Sequence, residues 1–403
     1  MNFKTPFILS GAYPRDNTLT GLYPSLYAGL DVVSRESVGF IPSVTRNTSA
    51  ERAAVGQSVV YHVAPEMAAR DTNPSMTIRE PVDRTVGTGT MTINKSREVD
   101  FGFVGEEQVG LDTGPGYNAV QADLFAQALR TLVNEIETDL ATEAYQNACR
   151  AYGTPGTVPF TTNLAEAAQV RKILDDNGAP STGRSLIVDT TIGANIRTLG
   201  QLTKVNEAGD RMTLRDGTLM DLHGMMVKES GQIQSLTAGT GASATTNDAG
   251  YAVGATEITL ASAGTGTILA GDYITFAGDT NKYLVVTGDA DVSGGGTIEI
   301  AKPGLRVAIG AATTAITVVE PSGGGATTRA VAFSPDALHL VARAPALPDG
   351  RDAAIDSMMM IDPRSGLPFE VRVYLGERKM KFSVACAWGK KASKQAHIAG
   401  LIY

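Results

Sequence analysis

Little in this sequence is chemically reactive. Its 403 residues hold 2 cysteines, Cys149 and Cys386, and 4 histidines, His62, His223, His339 and His397. The cysteines form no CxxC pair and are too few for a disulfide framework, so a reducing compartment is expected. No histidine stands in an HExxH or other spaced cluster, and no metal site is expected. There is no Walker motif. The glycine-rich stretches fall between β-type runs rather than between a strand and a helix, which argues against a phosphate cradle. G-x-S-x-G is absent, and neither cysteine has a catalytic context. No run of about 18 apolar residues occurs, so no transmembrane helix and no membrane partner are expected. The N-terminal MNFKTPFILS lacks the apolar run of a secretory signal, so synthesis in the cytosol is expected, and the sequons at Asn47 and Asn94 carry no weight. Charged residues make up only 19% of the chain and sum to -8, which argues against a basic, sequence-reading nucleic-acid face. No cofactor is expected, and a structural or binding role is favoured over an enzyme.

What the chain does contain is a long helical pattern over 116–152. Val120, Leu124, Ala128, Leu132, Ile136, Leu140 and Ala144 recur every four residues, thickened by Phe125, Leu129 and Val133. Gln121, Asp123, Arg130, Asn134, Glu135, Glu137 and Asp139 fall mostly off this stripe, and Cys149 falls within the helix. Thr113-Gly-Pro-Gly and Gly153-Thr-Pro-Gly punctuate its ends. At about 36 residues it would be a rod of roughly 54 Å. Charge interrupts the stripe too often for a membrane span, and no strict heptad supports a long coiled coil. The pattern reads as a spine across an elongated subunit.

With 44 glycines and 43% hydrophobic residues, two or three domains with a real core and β-rich, loop-rich parts are expected. Residues 1–55 read as a polar arm too poor in apolar residues to hold a domain. Its Leu19, Leu22, Tyr23, Leu26, Tyr27 and Leu30 recur at helical spacing. From 56 to 112 the pattern is a long β-hairpin, with runs at 58–63 and 89–94, a third at 97–105, and a charged, proline-broken tip over 68–84. Such a hairpin has few contacts of its own and fits best on a partner subunit. After the spine, a helix capped by Asn163 and closed by Gly178, a strand at 184–189, a helix over 190–203 and a turn into a strand near 226 give an α+β or α/β region. At 230 the composition shifts to Gly, Thr, Ala and Ser. Runs beginning at Thr256, Asp272, Lys282, Thr297 and Ala315 predict a small antiparallel barrel or sandwich inserted over 230–328. The chain then resumes with a strand-turn-helix or strand-strand unit at 330–343, strands at 369–375 and 379–389, and Ile398-Ala-Gly-Leu-Ile-Tyr. Asp175-Asp176 reads as a solvated helix end, Glu106-Glu107 as a polar run, and Met358-Met-Met as packed core or a sliding interface.

The order of these parts resembles the major capsid protein of tailed double-stranded DNA phages, in the branch with an inserted β-barrel. Leu129-Arg-Thr-Leu-Val-Asn-Glu-Ile-Glu-Thr-Asp-Leu is similar to that branch's spine helix. Ile258-Thr-Leu and Leu269-Ala-Gly-Asp-Tyr-Ile-Thr-Phe-Ala-Gly look like the strands opening its insertion. Ala332-Phe-Ser-Pro-Asp-Ala-Leu-His-Leu-Val resembles the return into the axial domain, and Cys386-Ala-Trp-Gly a strand end there. The resemblance spans nearly the whole chain.

It implies an α+β capsid fold: N-terminal arm (1–55), extended loop (56–112), spine helix and peripheral domain (113–159), axial domain (160–229), inserted barrel (230–328), and axial domain with peripheral return strands (329–403). It also implies a homo-oligomer of hexamers and pentamers in an icosahedral shell, residing in the virion after synthesis in the host cytoplasm. The implied partners are a portal protein, packaged double-stranded DNA held without sequence preference, and a scaffolding protein. The scaffold is expected to be a separate chain, because arm and hairpin use up everything before the spine. Expected inter-subunit contacts are Arg70, Asp71, Arg79, Glu80, Asp83 and Arg84 on the loop, and Leu22, Tyr23 and Tyr27 on the arm. The alternatives are another virion structural subunit, such as a decoration or tail protein, and, less supported, a cytosolic enzyme with an inserted β domain.

Overall fold

The structure is a computed structural model that describes residues 38–63, 69–74, 76, 78, 80, 87–112, 117–203, 221–319, 326–348, 352–362 and 365–403. Two sheets organise it. The first has the order β1 (Thr45–Ala53), β17 (Leu338–Pro345), β20 (Lys379–Ala392), β19 (Pro368–Gly376) and β18 (Asp356–Ile361). On its other edge β20 carries β4 (Lys95–Val104), paired from Lys379↔Val104 to Trp388↔Lys95. β20 is the hub because it is long (14 residues) and its segment 382–389 is wholly buried.

The spine helix lies across this sheet. It runs Tyr117–Gln146, 30 residues, or about 45 Å. Phe125, Leu129, Leu132, Val133, Ile136 and Leu140 are buried in one core with Phe382, Val384, Cys386 and Trp388 of β20. Each large side chain so placed contributes about 2 kcal/mol of transfer free energy. Phe101, Phe125 and Phe382 form an aromatic knot at the helix's N-terminal half, with centroids 4.8–5.4 Å apart.

The helix is shorter than its sequence pattern, and Cys149 lies beyond it. Two interactions stop it. Asn147 folds its side-chain amide back onto Glu143 O (2.9 Å), and the Cys149 amide donates to Ile398 O (2.9 Å). The following residues are drawn into β5 (Arg150–Tyr152), which pairs parallel with β21 (Ile398–Ile402) and antiparallel with β12 (Lys282–Thr287). Alanine- and tyrosine-rich sequence continued the helical period there, but sheet pairing overrides it.

Two further boundaries differ from the sequence reading. The end of the arm is core rather than arm. Phe40 and Ile41 are fully buried, and β1 pairs parallel with β17. The run at 97–105 is likewise not hairpin: it is β4, inside the first sheet, and is followed by helix α1 (Gly105–Asp112). In both cases the segment finds a sheet neighbour distant in sequence, which local pattern cannot show. The hairpin itself is the separate two-stranded sheet of β2 (Ser58–Val63) and β3 (Gly87–Thr92).

The second sheet is mixed, in the order β10 (Glu257–Leu260), β13 (Gly296–Ile300), β12, β5, β21, β16 (Arg329–Phe333), β6 (Ser185–Val188), β8 (Met225–Glu229) and β7 (Asp221–Leu222). Helix Ala165–Asp176 packs Ala167, Val170 and Leu174 on it. Asn163 Oδ1 accepts from the Ala165 amide (2.9 Å), and Gly178 closes the helix at φ +70°, a left-handed position that suits glycine. The 190–203 pattern is broken: one helix, Thr190–Thr198, is capped by Asp189 accepting from Ile192, and a short one, Gly200–Thr203, follows. The 330–343 unit is strand-strand, joined by a 3-10 turn at Pro335–Ala337.

All five runs anticipated between 256 and 320 are strands. β11 (Tyr273–Phe276) joins β12 to β14 (Ile316–Val318). Bridges from Thr245 to Ala315 and from Thr246 to Leu260 then carry the pairing path from β14 back to β10. Ile258, Ile274, Phe276, Tyr283, Val285, Ile298 and Ile316 are buried inside this ring. It is welded to the rest by β12–β5 pairing, by Arg150 donating to Asn281 Oδ1 (2.9 Å), and by Arg329, which donates to Gly271 O and stacks on Tyr273 at 4.9 Å.

Candidate functional site

Among the described residues, no group of three or more His, Cys, Asp or Glu is placed to hold a metal ion, and no helix is long and apolar enough to cross a membrane. Both cysteines are fully buried as free thiols. Burial pushes Cys149 up to about 11 and Cys386 to about 12, so neither is a ready nucleophile. What stands out among the described residues is exposed surface.

The most exposed is the β2–β3 ribbon. Its register runs from Ser58↔Thr92 to Val63↔Gly87. Among the described residues its base packs on the body, where Met91 and Ile93, flanked by Val59 and Tyr61, meet Ala53, Val341 and Ala387. The Gly56 amide donates to Ile93 O and the Ile93 amide to Gln57 O (2.8 and 2.9 Å). Tyr61 lies over Gly89, where a Cβ would fall 2.2 Å from its ring, and stacks on His339 at 5.2 Å. Beyond that base Val60 is 56% exposed, and Met76 and Ile78 are fully exposed. Of the expected contact residues, Arg70, Asp71 and Glu80 are exposed on this connection. Arg79, Asp83 and Arg84, and Leu22, Tyr23 and Tyr27 of the arm, lie outside the described residues.

At the other end of the ribbon's support, a buried charge network ties β1 to β19. Glu370, with no solvent exposure, accepts from Arg52 (2.9 and 2.5 Å) and from Arg372 Nη2 (2.7 Å). Arg372 also donates to Asp352 (2.7 Å), to which Tyr374 donates as well. Hydrogen bonds from Tyr374, the Ala353 amide and Arg372 hold Asp352 below the usual carboxylate range.

On the far face of the sheet, the spine helix is pinned through Asp139. Trp388 Nε1 donates to it (2.9 Å), Lys95 approaches to 2.9 Å, and Lys390 donates to its carbonyl (2.6 Å). Glu143 one turn on accepts from the Ala392 amide (3.1 Å). Farther along, a carboxylate that sequence placed off the apolar stripe is fully buried. Glu137 accepts from the amides of Gly39 (2.6 Å), Phe40 (2.7 Å) and Ile41 (3.0 Å) and from Ser230 Oγ (2.9 Å). No local pattern signalled this, because its donors, three backbone amides and one serine hydroxyl, lie more than 90 residues away in sequence. Its position among Ile136, Leu140 and Ala141, one step from the stripe's centre, was the only available hint.

Two histidines add a pH response. Burial holds His339, beneath Tyr61, and His397, in the turn before β21, below the ordinary value of 6.5; the Lys394 charge adds to the effect. Protons therefore bind the unfolded chain first as pH falls through 6.5. The histidines' contribution to stability is expected to be level above that pH and to decline below it, until the lowered folded values are passed, against the opposite contribution of Glu137, which burial shifts up. His339→Gln should flatten part of that decline in a pH series of thermal melts. A His339→Gln protein whose melting temperature follows the same pH dependence as wild type between pH 7 and 5.5 would contradict this assignment.

No protein-family model matches the sequence, and no curated protein matches it. Among solved structures, one of Mycobacterium phage Che8 is similar at 14% identity and TM-score 0.45, covering 92% of each chain. The capsid structure of the cyanophage P-SCSP1u is similar at 11% identity and TM-score 0.47, covering 92% of this chain and 89% of that one. A virus-like particle from Pyrococcus furiosus is similar at 12% identity and TM-score 0.42, covering 95% and 98%.

Proposed function

We propose that this chain is the major capsid protein of a tailed phage, a non-enzymatic subunit that assembles into an icosahedral shell. The observation that carries this reading is the β2–β3 ribbon. A two-stranded ribbon with exposed residues such as Val60, Thr88 and Thr90 is marginal by itself, so it makes sense when another copy covers it. The 30-residue spine helix supports the same reading. It gives an elongated subunit the rigidity to carry contacts at both ends, as a closed shell of repeated heterologous contacts requires.

In this reading, residues 1–37 form the arm and the β2–β3 ribbon with its connection forms the extended loop. The first sheet with the spine is the peripheral domain, and the second sheet is the axial domain. The closed pairing path within 230–328 is an inserted β-barrel domain. Assembly proceeds through hexamers and pentamers on a separate scaffolding protein, with a portal protein at one vertex. The shell then expands around double-stranded DNA, to which an acidic subunit of net charge -8 does not bind prematurely. The subunit becomes part of the virion after synthesis in the host cytoplasm. Expansion is expected to change the bend of the spine helix; an identical subunit in precursor and mature shells would sink that part.

The test is to produce the chain with and without its candidate scaffolding partner and to examine pelleted material by negative stain. Closed shells of uniform diameter with the partner, and spirals or unassembled protein without it, are the expected result. A stable monomer or dimer in both conditions would overturn the proposal.

A further inference from the structure

Glu137 is an unusual residue to find at the centre of a helix-on-sheet core. It has no solvent exposure, and among the described residues no cation forms an ion pair with it. A buried, unpaired carboxylate is very costly unless hydrogen bonds replace its water. Here four donors do so, and they come from two other parts of the chain. Three are the successive amides of Gly39, Phe40 and Ile41, and the fourth is Ser230 Oγ. Successive amides converging on one anion form a nest, a geometry that favours negative charge.

Among the described residues the cations near Glu137 are hydrogen-bonded elsewhere and none forms an ion pair with it, although its charge still acts on Lys228. Lys228, the nearby cation on β8, is engaged by Ser43 Oγ (2.9 Å), Arg46 donates to Ser365 O, and Glu229 is held by Arg197 (2.6 Å). Space is equally restricted, since a Cβ on Gly39 would lie 2.8 Å from Ile187 and 3.0 Å from Glu229 O. Ser43 Oγ closes the turn by donating to Gly39 O (2.7 Å). Gly39–Ile41 is the first described chain after residues 1–37, and Ser230 lies where the second sheet hands over to the inserted strands.

We infer that Glu137 is a latch: one carboxylate on the spine helix that fixes the root of the N-terminal segment and the Ser230 junction together, so that neither is released without the other. If the three amides swing away, Glu137 keeps only Ser230, and the carboxylate is left under-solvated in an apolar core. The cost of opening is therefore shared by both segments, which makes the opening cooperative. The value of such a latch to assembly rests on the capsid reading, in which the N-terminal segment reaches a neighbour and the direction of its exit matters. The latch itself does not depend on that reading.

Hydrogen exchange on the full unassembled chain tests it, comparing wild type with Glu137→Gln, Glu137→Asp and Ser230→Ala. Glutamine keeps one acceptor oxygen but turns an NH2 group toward the amides. Exchange in peptides covering 39–41 and in those covering 228–232 is expected to rise together by about 10- to 100-fold, the range for losing charge-assisted hydrogen bonds. Peptides of the inserted strands at 273–300 should be unchanged. Ser230→Ala, which leaves the amides their partner, should raise both regions by a smaller and equal factor. This milder variant keeps the test valid if Glu137→Gln does not fold. Unchanged exchange at 39–41, or a rise there without one at 228–232, overturns the latch. Wild type that shows the coupled exchange but never assembles would overturn the capsid reading alone.

Discussion

Trp388→Ala is expected to destabilise the protein by about 3–5 kcal/mol, the cost of truncating a fully enclosed aromatic side chain. The indole has no solvent exposure and sits on β20 beneath the spine helix. It fills the core with one face, while Lys95 lies 5.9 Å from the ring centroid. Its Nε1 donates to Asp139, which Lys95 and the Lys390 side chain also approach. Removing it opens a cavity at the contact between helix and sheet and takes one donor from a carboxylate that is only 13% exposed. Trp388→Phe, which keeps most of the volume but not the donor, should cost about 1–2 kcal/mol. Equilibrium denaturation followed by far-UV circular dichroism checks both, since the chain has a single tryptophan and its fluorescence disappears with the substitution. Equal losses for Ala and Phe would show that the hydrogen bond, not packing, dominates there. Losses under about 1 kcal/mol for both would show that Trp388 does not anchor the spine.

Shortening the ribbon is expected to separate folding from assembly. Val63 and Gly87 are directly opposed in the β2–β3 register, so residues 64–86 can be replaced by a two-residue Asn-Gly turn without shifting any pair. Among the described residues, the ribbon's contacts with the body, Met91 and Ile93 against Val341 and Ala387 and Tyr61 against His339, lie on the retained side. The shortened protein should therefore melt within a few degrees of wild type. Its yield of closed shells should fall at least tenfold, because the surface offered to a neighbour is gone. Sedimentation of the co-produced shells, beside a thermal melt of the free subunit, measures the two effects separately. Normal shell yield from the shortened chain would remove the ribbon from the assembly account. A large loss of melting temperature would show that the connection also stabilises its own subunit.

Elements carried by local pattern were legible in the sequence. The spine was visible because seven apolar residues repeat every four positions against one broad sheet. The five strands of the 230–328 region were visible because β-branched runs alternate with glycine turns. Asn163 and Gly178 marked a helix end by chemistry that acts within a few residues. What was hidden depends on partners far away in sequence. Residues 150–152 look helical and become β5 only because Ile398–Ile402 and β12 lie on either side. The run at 97–105 alternates like a hairpin arm, and nothing local reveals that β20 is its neighbour. Phe40 and Ile41 lie in a short stretch at the end of the arm, and both the core that buries them and the Glu137 carboxylate that accepts from their amides are distant in sequence. Arg70, Asp71 and Glu80 were legible as charge on a proline-broken loop and are exposed there. The buried Arg52–Glu370–Arg372 network beneath the same sheet was not, since alternating charges on a strand read as a solvated face.

The most direct test of the shell account is a cryo-EM reconstruction of particles assembled from this chain. The expected map shows hexamers and pentamers in which the β2–β3 ribbon of each copy lies on an adjacent copy, with the spine helix continuous from Tyr117 to Gln146. Particles in which the ribbon touches no neighbour, or a chain that yields only monomers and dimers under every assembly condition, would contradict it.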